Sequence, residues 1–149
     1  MQALLPRFDA AKLNLIEAAE VMPEASYDFK LTPGQRSFGD WIEHNISMNF
    51  SMCASMVGHT TPREHQPGGK GKAELVRALK ESFDYCEPIF KSMTDEKSQQ
   101  HIQINDKLVY PVAVMIALVS NWNEHYGNMV GYLRTKGITP PSTARVPQK

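Results

Sequence analysis

Between Met115 and Tyr132 the apolar residues Met115, Leu118, Trp122, Met129 and Tyr132 return at steps of three and four. That rhythm is the seam of a long helix packed against other helices; a strand would repeat its apolar face every second residue. One seam position, between Trp122 and Met129, carries His125 where an ordinary core would carry Leu. An imidazole directed into a bundle needs a partner for each ring nitrogen, and a buried metal ion is one such partner. Pro111 suits a first turn and Gly137 a left-handed cap, so the helix is expected from near Pro111 to Gly137.

Three further segments share the rhythm. From Leu4 to Met22, the residues Phe8, Ala11, Leu15, Ala18 and Met22 form one stripe, and Pro23 stops it. Tyr27 to Gly34 reads as a connector ending in a turn. Ser37 caps the second helix, with Asp40 placed to complete a capping box and Gly58 as a stop. Phe38, Ile42, Ile46, Phe50, Cys53 and Val57 make one of its stripes; Trp41, His44, Met48 and Met52 make the neighbouring one. Met48, Met52 and Met56, spaced by four, read as adaptable core or pocket lining. The third helix, Ala73 to Met93, carries Val76, Leu79, Phe83, Cys86, Phe90 and Met93, and Pro88 is expected to kink it or end it early.

The remaining stretches are polar. His59 to Lys72 is one long surface loop, in which His59 and His65 read as solvated. Thr94 to Tyr110 is irregular with room for one helical turn; no strand is expected there, and His101 reads as exposed. Pro140-Pro141 and a basic tail are expected to run extended along the surface. Arg134 suits the negative end of the last helix. Four amphipathic helices in 149 residues predict an all-α, antiparallel four-helix bundle forming a single domain over residues 1–149.

Sixteen basic residues balance sixteen acidic ones, and a net charge of zero gives no electrostatic reason to expect a nucleic-acid partner. No apolar run is long enough to span a membrane, and Met1 to Arg7 lacks the basic-then-apolar pattern of a signal peptide. A cytoplasmic protein is therefore expected, with Cys53 and Cys86 as reduced core thiols. Cys53 has no evident base or orienting group that would make it a nucleophile.

His44, near the start of helix two, can meet His125 if their helices run antiparallel at matching depth. Zinc or nickel accepts imidazole nitrogen readily, and three protein ligands are usual at a catalytic site. Asn121, one turn before His125 on the same face, is the third candidate, though an amide oxygen is a neutral, weak donor. The residues alone leave two readings open: a divalent-metal site on His44, Asn121 and His125, or two hydrogen-bonded core histidines. Tyr126, Asn128 and Tyr132 can line a pocket beside His125, and seam packing accounts equally well for the tyrosines.

Phe29-Lys30-Leu31-Thr32-Pro33-Gly34-Gln35-Arg36-Ser37-Phe38-Gly39-Asp40-Trp41-Ile42-Glu43-His44 forms a first block. A second comprises His125-Tyr126-Gly127-Asn128 and Tyr132-Leu133-Arg134-Thr135-Lys136-Gly137-Ile138-Thr139-Pro140-Pro141. Together they resemble the DinB/YfiT-like family, in the right order and over nearly the whole chain. The resemblance implies an antiparallel four-helix bundle that pairs into homodimers. It implies a divalent metal held by one histidine of helix two and an HxxxH pair of the last helix. Its enzymes are thiol-dependent, namely bacillithiol S-transferases and a mycothiol-dependent maleylpyruvate isomerase. His44 and His125 match two of the three ligands, and Asn121 stands where the third histidine belongs.

Two functions follow as expectations. One is a metal-dependent S-transferase using a low-molecular-weight thiol, with the metal on His44 and His125. The other is a non-catalytic, metal-free or metal-weak dimeric bundle, binding or stress-related, because Asn121 replaces a histidine.

Overall fold

The computed structural model of the chain describes residues 2–62, 71–104 and 106–147; His65 lies outside them. Four long helices carry the fold: α1 (Leu5–Val21), α2 (Phe38–Met56), α3 (Lys72–Ser92) and α5 (Pro111–Thr135). Single turns α4 (Asp95–Ser98) and α6 (Pro141–Ala144) accompany them, together with the short strands β1 (Ile102–Ile104) and β2 (Lys107–Val109).

The helix boundaries follow local chemistry. The Ser37 hydroxyl accepts from the Asp40 amide at 3.1 Å, and the Asp40 carboxylate accepts from the Ser37 amide at 2.9 Å. That reciprocal capping box pins the start of α2 and thereby the depth of His44. Gly58 and Gly137 take positive φ just beyond α2 and α5, where an L side chain would be strained.

Pairings between helices fix their directions. Lys80 pairs with Glu20 and Lys12 reaches both Asp84 and Glu87, so α1 and α3 run antiparallel. Trp41 bonds Tyr132 while Met48 faces Asn121, so α2 and α5 also run antiparallel. Asn49 bonds Ser82 and Cys53 joins Cys86, equal steps in the same sense, so α2 and α3 run parallel. The long connection between α2 and α3 permits that, since parallel neighbours need a chain that returns to the starting end. The four-helix bundle thus closes around a core in which the Trp122 ring meets Phe8, Phe83 and Phe90 at 5.3–5.7 Å.

Several expectations are corrected. Cys53 and Cys86 are joined in a disulfide, not held as reduced thiols. Parallel packing of α2 on α3 brings their Cα atoms to 5.5 Å, well inside the bonding range. A small antiparallel hairpin does form, pairing Ile102 with Val109 and Ile104 with Lys107. Three residues per strand are too few for alternation to register; Ile102, Ile104 and Val109 gain stability by packing on the core. The third helix passes through Pro88 to Ser92, because Pro88 is exposed while Ile89 and Phe90 beyond it are buried. Val57, read as part of the stripe of α2, is exposed where the helix ends. The tail is not extended: Pro141–Ala144 turns once. Tyr126 holds it by donating to the Ser142 hydroxyl at 2.8 Å and accepting from the Ser142 amide at 2.9 Å.

Candidate metal centre

His44 in α2 and His125 in α5 do meet, with ring centres 4.9 Å apart. Two imidazoles on one zinc ion, each ring centre about 3.2 Å from the metal, lie about 5 Å apart at a tetrahedral angle. The observed separation is compatible with that geometry and equally with edge-to-face packing of the two rings, whose planes meet at 60°. Trp41 packs beside both rings, 5.1 Å from His125 and 6.3 Å from His44. Its indole NH donates to the Tyr132 hydroxyl at 3.3 Å, and Tyr132 in turn donates to the Arg36 carbonyl at 2.5 Å.

The environment of His125 selects a tautomer. Asn45, wholly buried one turn past Trp41, donates its amide NH2 to the Trp41 carbonyl at 2.8 Å. A carbonyl only accepts, so the Asn45 amide oxygen is the atom 3.1 Å from His125 Nδ1. Nδ1 therefore carries the proton, and the lone pair of the neutral ring sits on Nε2. A hydrogen-bonded Nδ1–H with a free Nε2 is the usual arrangement of a metal-binding histidine. Burial, with smaller contributions from the His44 and Arg36 charges, lowers the pKa of His125 to about 4. The ring is thus neutral at pH 7, as coordination requires.

Asn121, the third candidate, lies one turn before His125 in α5. It is half-buried, and its amide NH2 donates to the Met48 thioether at 3.6 Å, a weak acceptor. Among the described residues no group of three or more His, Cys, Asp or Glu side chains converges on a common point.

The other candidates lie elsewhere. His59 lines a cleft of about 400 Å³ with Ser51, Met52, Ser55, Thr61 and Gln103 at the far end of α2. His101 is exposed and stacks on Tyr110. Tyr126 holds the tail, Tyr132 is fully buried, and Asn128 donates to the Glu124 carbonyl. Met56 is buried, whereas Met48 and Met52 are half-buried. Sequence reasoning missed Asn45. Its signal was an Asn45/Asn49 pair spaced by four in a helix nearly free of charge, since two amides on one inward face each need a buried partner. Asn49 finds Trp122 and Ser82, and Asn45 finds His125.

A sequence family described as the DinB superfamily matches residues 7–128. The chain belongs to the DinB superfamily. The fold agrees with a DinB-like protein of Bacillus cereus, with a TM-score of 0.79 at 16% identity over 95% of both chains. It also agrees with the DinB-like protein YjoA of Bacillus subtilis, with a TM-score of 0.75 at 19% identity. That alignment covers 92% of this chain and 94% of the other. No curated protein matches the chain. Among the described residues, no helix is long and apolar enough to cross a membrane.

Proposed function

We propose that His44 and His125, with Asn121 as a weak third donor, hold a divalent metal of the zinc or nickel type in a thiol-dependent transferase. The observation that carries this reading is the approach of two imidazoles from facing helices to 4.9 Å. The proton of His125 is already assigned to the nitrogen turned toward Asn45. When bound, such an ion supplies Lewis acidity that keeps a coordinated low-molecular-weight thiol in its thiolate form for attack on an electrophile.

The protein's own residues do the positioning. Asn45 fixes the His125 ring in plane and tautomer, so that Nε2 presents its lone pair without a conformational search. Trp41 packs against both rings on one side and so limits how they can turn. Met48 turns the Asn121 side chain by accepting from its NH2, which leaves the amide oxygen as the ligating atom. The same contact favours a second reading, a non-catalytic, metal-weak bundle in which Asn121 is a packing residue. Homodimer formation and a cytoplasmic location belong to the proposal as well. The half-exposed Ile116, flanked by Ala113 and Ala117 on α5, offers an uncharged face for pairing.

Metal content and affinity of untagged protein test this directly, with wild type, His44→Ala and Asn121→His compared by calorimetry. Stoichiometric zinc or nickel in wild type, lost in His44→Ala, supports the metal site. Weak binding by wild type with a gain of tenfold or more in Asn121→His supports the second reading, a degraded three-ligand site. If neither protein binds, the metal reading is wrong. Sedimentation at micromolar concentration decides between dimer and monomer.

A further inference from the structure

The indole that packs on the histidine pair carries a cation on its own face. Arg36, the residue before the cap of α2, lays its guanidinium over the outer part of Trp41, with Cζ 5.1 Å from the ring centre. The Trp41 ring is itself 5.1 Å from that of His125 and 6.3 Å from that of His44, so the guanidinium lies no more than about 10 Å from the first and about 11 Å from the second. Its backbone is held in place, because the Arg36 carbonyl accepts the Tyr132 hydroxyl. The side chain is exposed, and among the described residues it forms no ion pair. The nearby carboxylate of Asp40 is engaged by the capping box. A guanidinium held on an aromatic face loses little freedom when it forms two parallel bonds to a carboxylate.

We infer that Arg36 anchors a carboxylate of the substrate or thiol, so that the site selects anionic small molecules whose reacting sulfur lies a few bonds from a carboxylate. This rests on the histidine pair being the reacting centre, as proposed above. Arg36 acts through position, holding one end of the ligand while the other reaches His44 and His125. A neutral ligand of the same shape would leave the guanidinium without a counter-charge and lose that anchor.

Two small thiols that differ only in charge test the anchor: 3-mercaptopropionate and 3-mercaptopropanamide. Binding is followed at the Trp41 indole NH resonance, in metal-free and in zinc-loaded protein, for wild type, Arg36→Gln and Arg36→Lys. Wild type is expected to bind the acid about tenfold more tightly than the amide. Arg36→Gln should bring the ratio to about one, and Arg36→Lys should retain part of it. These variants keep the backbone carbonyl that Tyr132 needs, and an unchanged Trp41 resonance in the free protein verifies the fold. Equal binding of acid and amide by wild type, binding of neither, or a ratio unchanged in Arg36→Gln overturns the inference. Failure of the metal reading is seen separately: zinc then adds nothing to either ligand, while the acid-to-amide ratio of the metal-free protein still reports on Arg36.

Discussion

Breaking the Cys53–Cys86 bridge should lower stability without unmaking the bundle. The bond closes a loop of 33 residues between two parallel helices. In the chain-entropy treatment, closing a loop of that length in the unfolded chain contributes about 3.7 kcal/mol. For a domain of this size each kcal/mol moves the melting temperature by about 2–4 °C, so losing the bridge should lower it by about 7–15 °C. Both cysteines are wholly buried, and alanines at their places would keep most of the apolar contacts of α2 with α3. The native fold should therefore persist in Cys53→Ala/Cys86→Ala, because the bridge acts mainly on the unfolded ensemble. Calorimetric melts of oxidised protein, reductant-treated protein and the double variant provide the measurement, with alkylation and mass spectrometry under denaturing conditions to count free thiols. Equal melting of the bridged wild type and the double variant would refute the magnitude. Two alkylated cysteines in unreduced protein would refute the bridge and restore the reduced-thiol expectation.

Three further outcomes follow from the site and its surroundings. His125 titrates near 4 when folded and near 6.5 when unfolded, so the unfolded chain takes up a proton that the folded chain resists. Stability of metal-free protein is thus full above pH 6.5 and should fall by up to about 3 kcal/mol as the pH drops toward 4. Urea midpoints at the two ends of this window should converge in His125→Gln; an undiminished fall would show that another group is responsible. Asn45→Ala leaves the His125 Nδ1–H without its partner and should cost about 1–3 kcal/mol. Imidazole nitrogen shifts should change from one tautomer in wild type to a mixture in the variant, and an unchanged spectrum would discount the role of Asn45. Tyr126→Phe removes both bonds to Ser142 at a cost of about 1–2 kcal/mol. The tail beyond Pro140 should then be cut faster by protease, and equal rates would mean that the buried prolines suffice.

The long helices were legible because each carries a continuous apolar stripe and ends in local chemistry: a Ser37–Asp40 box, a left-handed glycine, a terminal proline. The meeting of His44 with His125 was legible for the same reason, since both interrupt an apolar stripe and antiparallel packing matches their depths. What escaped depends on register between elements far apart in sequence. The bridge required Cys53 and Cys86 to face each other at one depth of α2 and α3, which no residue within either helix declares. Arg36 belongs to a connector on any periodicity, and its place beside His125 exists only through the face of Trp41 and the Tyr132 hydroxyl.

Asn45 shows most sharply why a site can be half legible. An imidazole in a seam announces that two nitrogens need partners, but it does not say which nitrogen is committed within the protein. That depends on an amide 80 residues away whose own NH2 is consumed by the Trp41 carbonyl. With that amide fixed, Nδ1 of His125 is the nitrogen committed within the protein. Asn121 lacks any such arrangement, since its amide rests on a thioether that holds it only weakly. A strongly bonded Asn121 would have been committed to packing. A weakly bonded one keeps its freedom to turn, and on the metal reading proposed above that freedom would let its amide oxygen serve as the weak third donor.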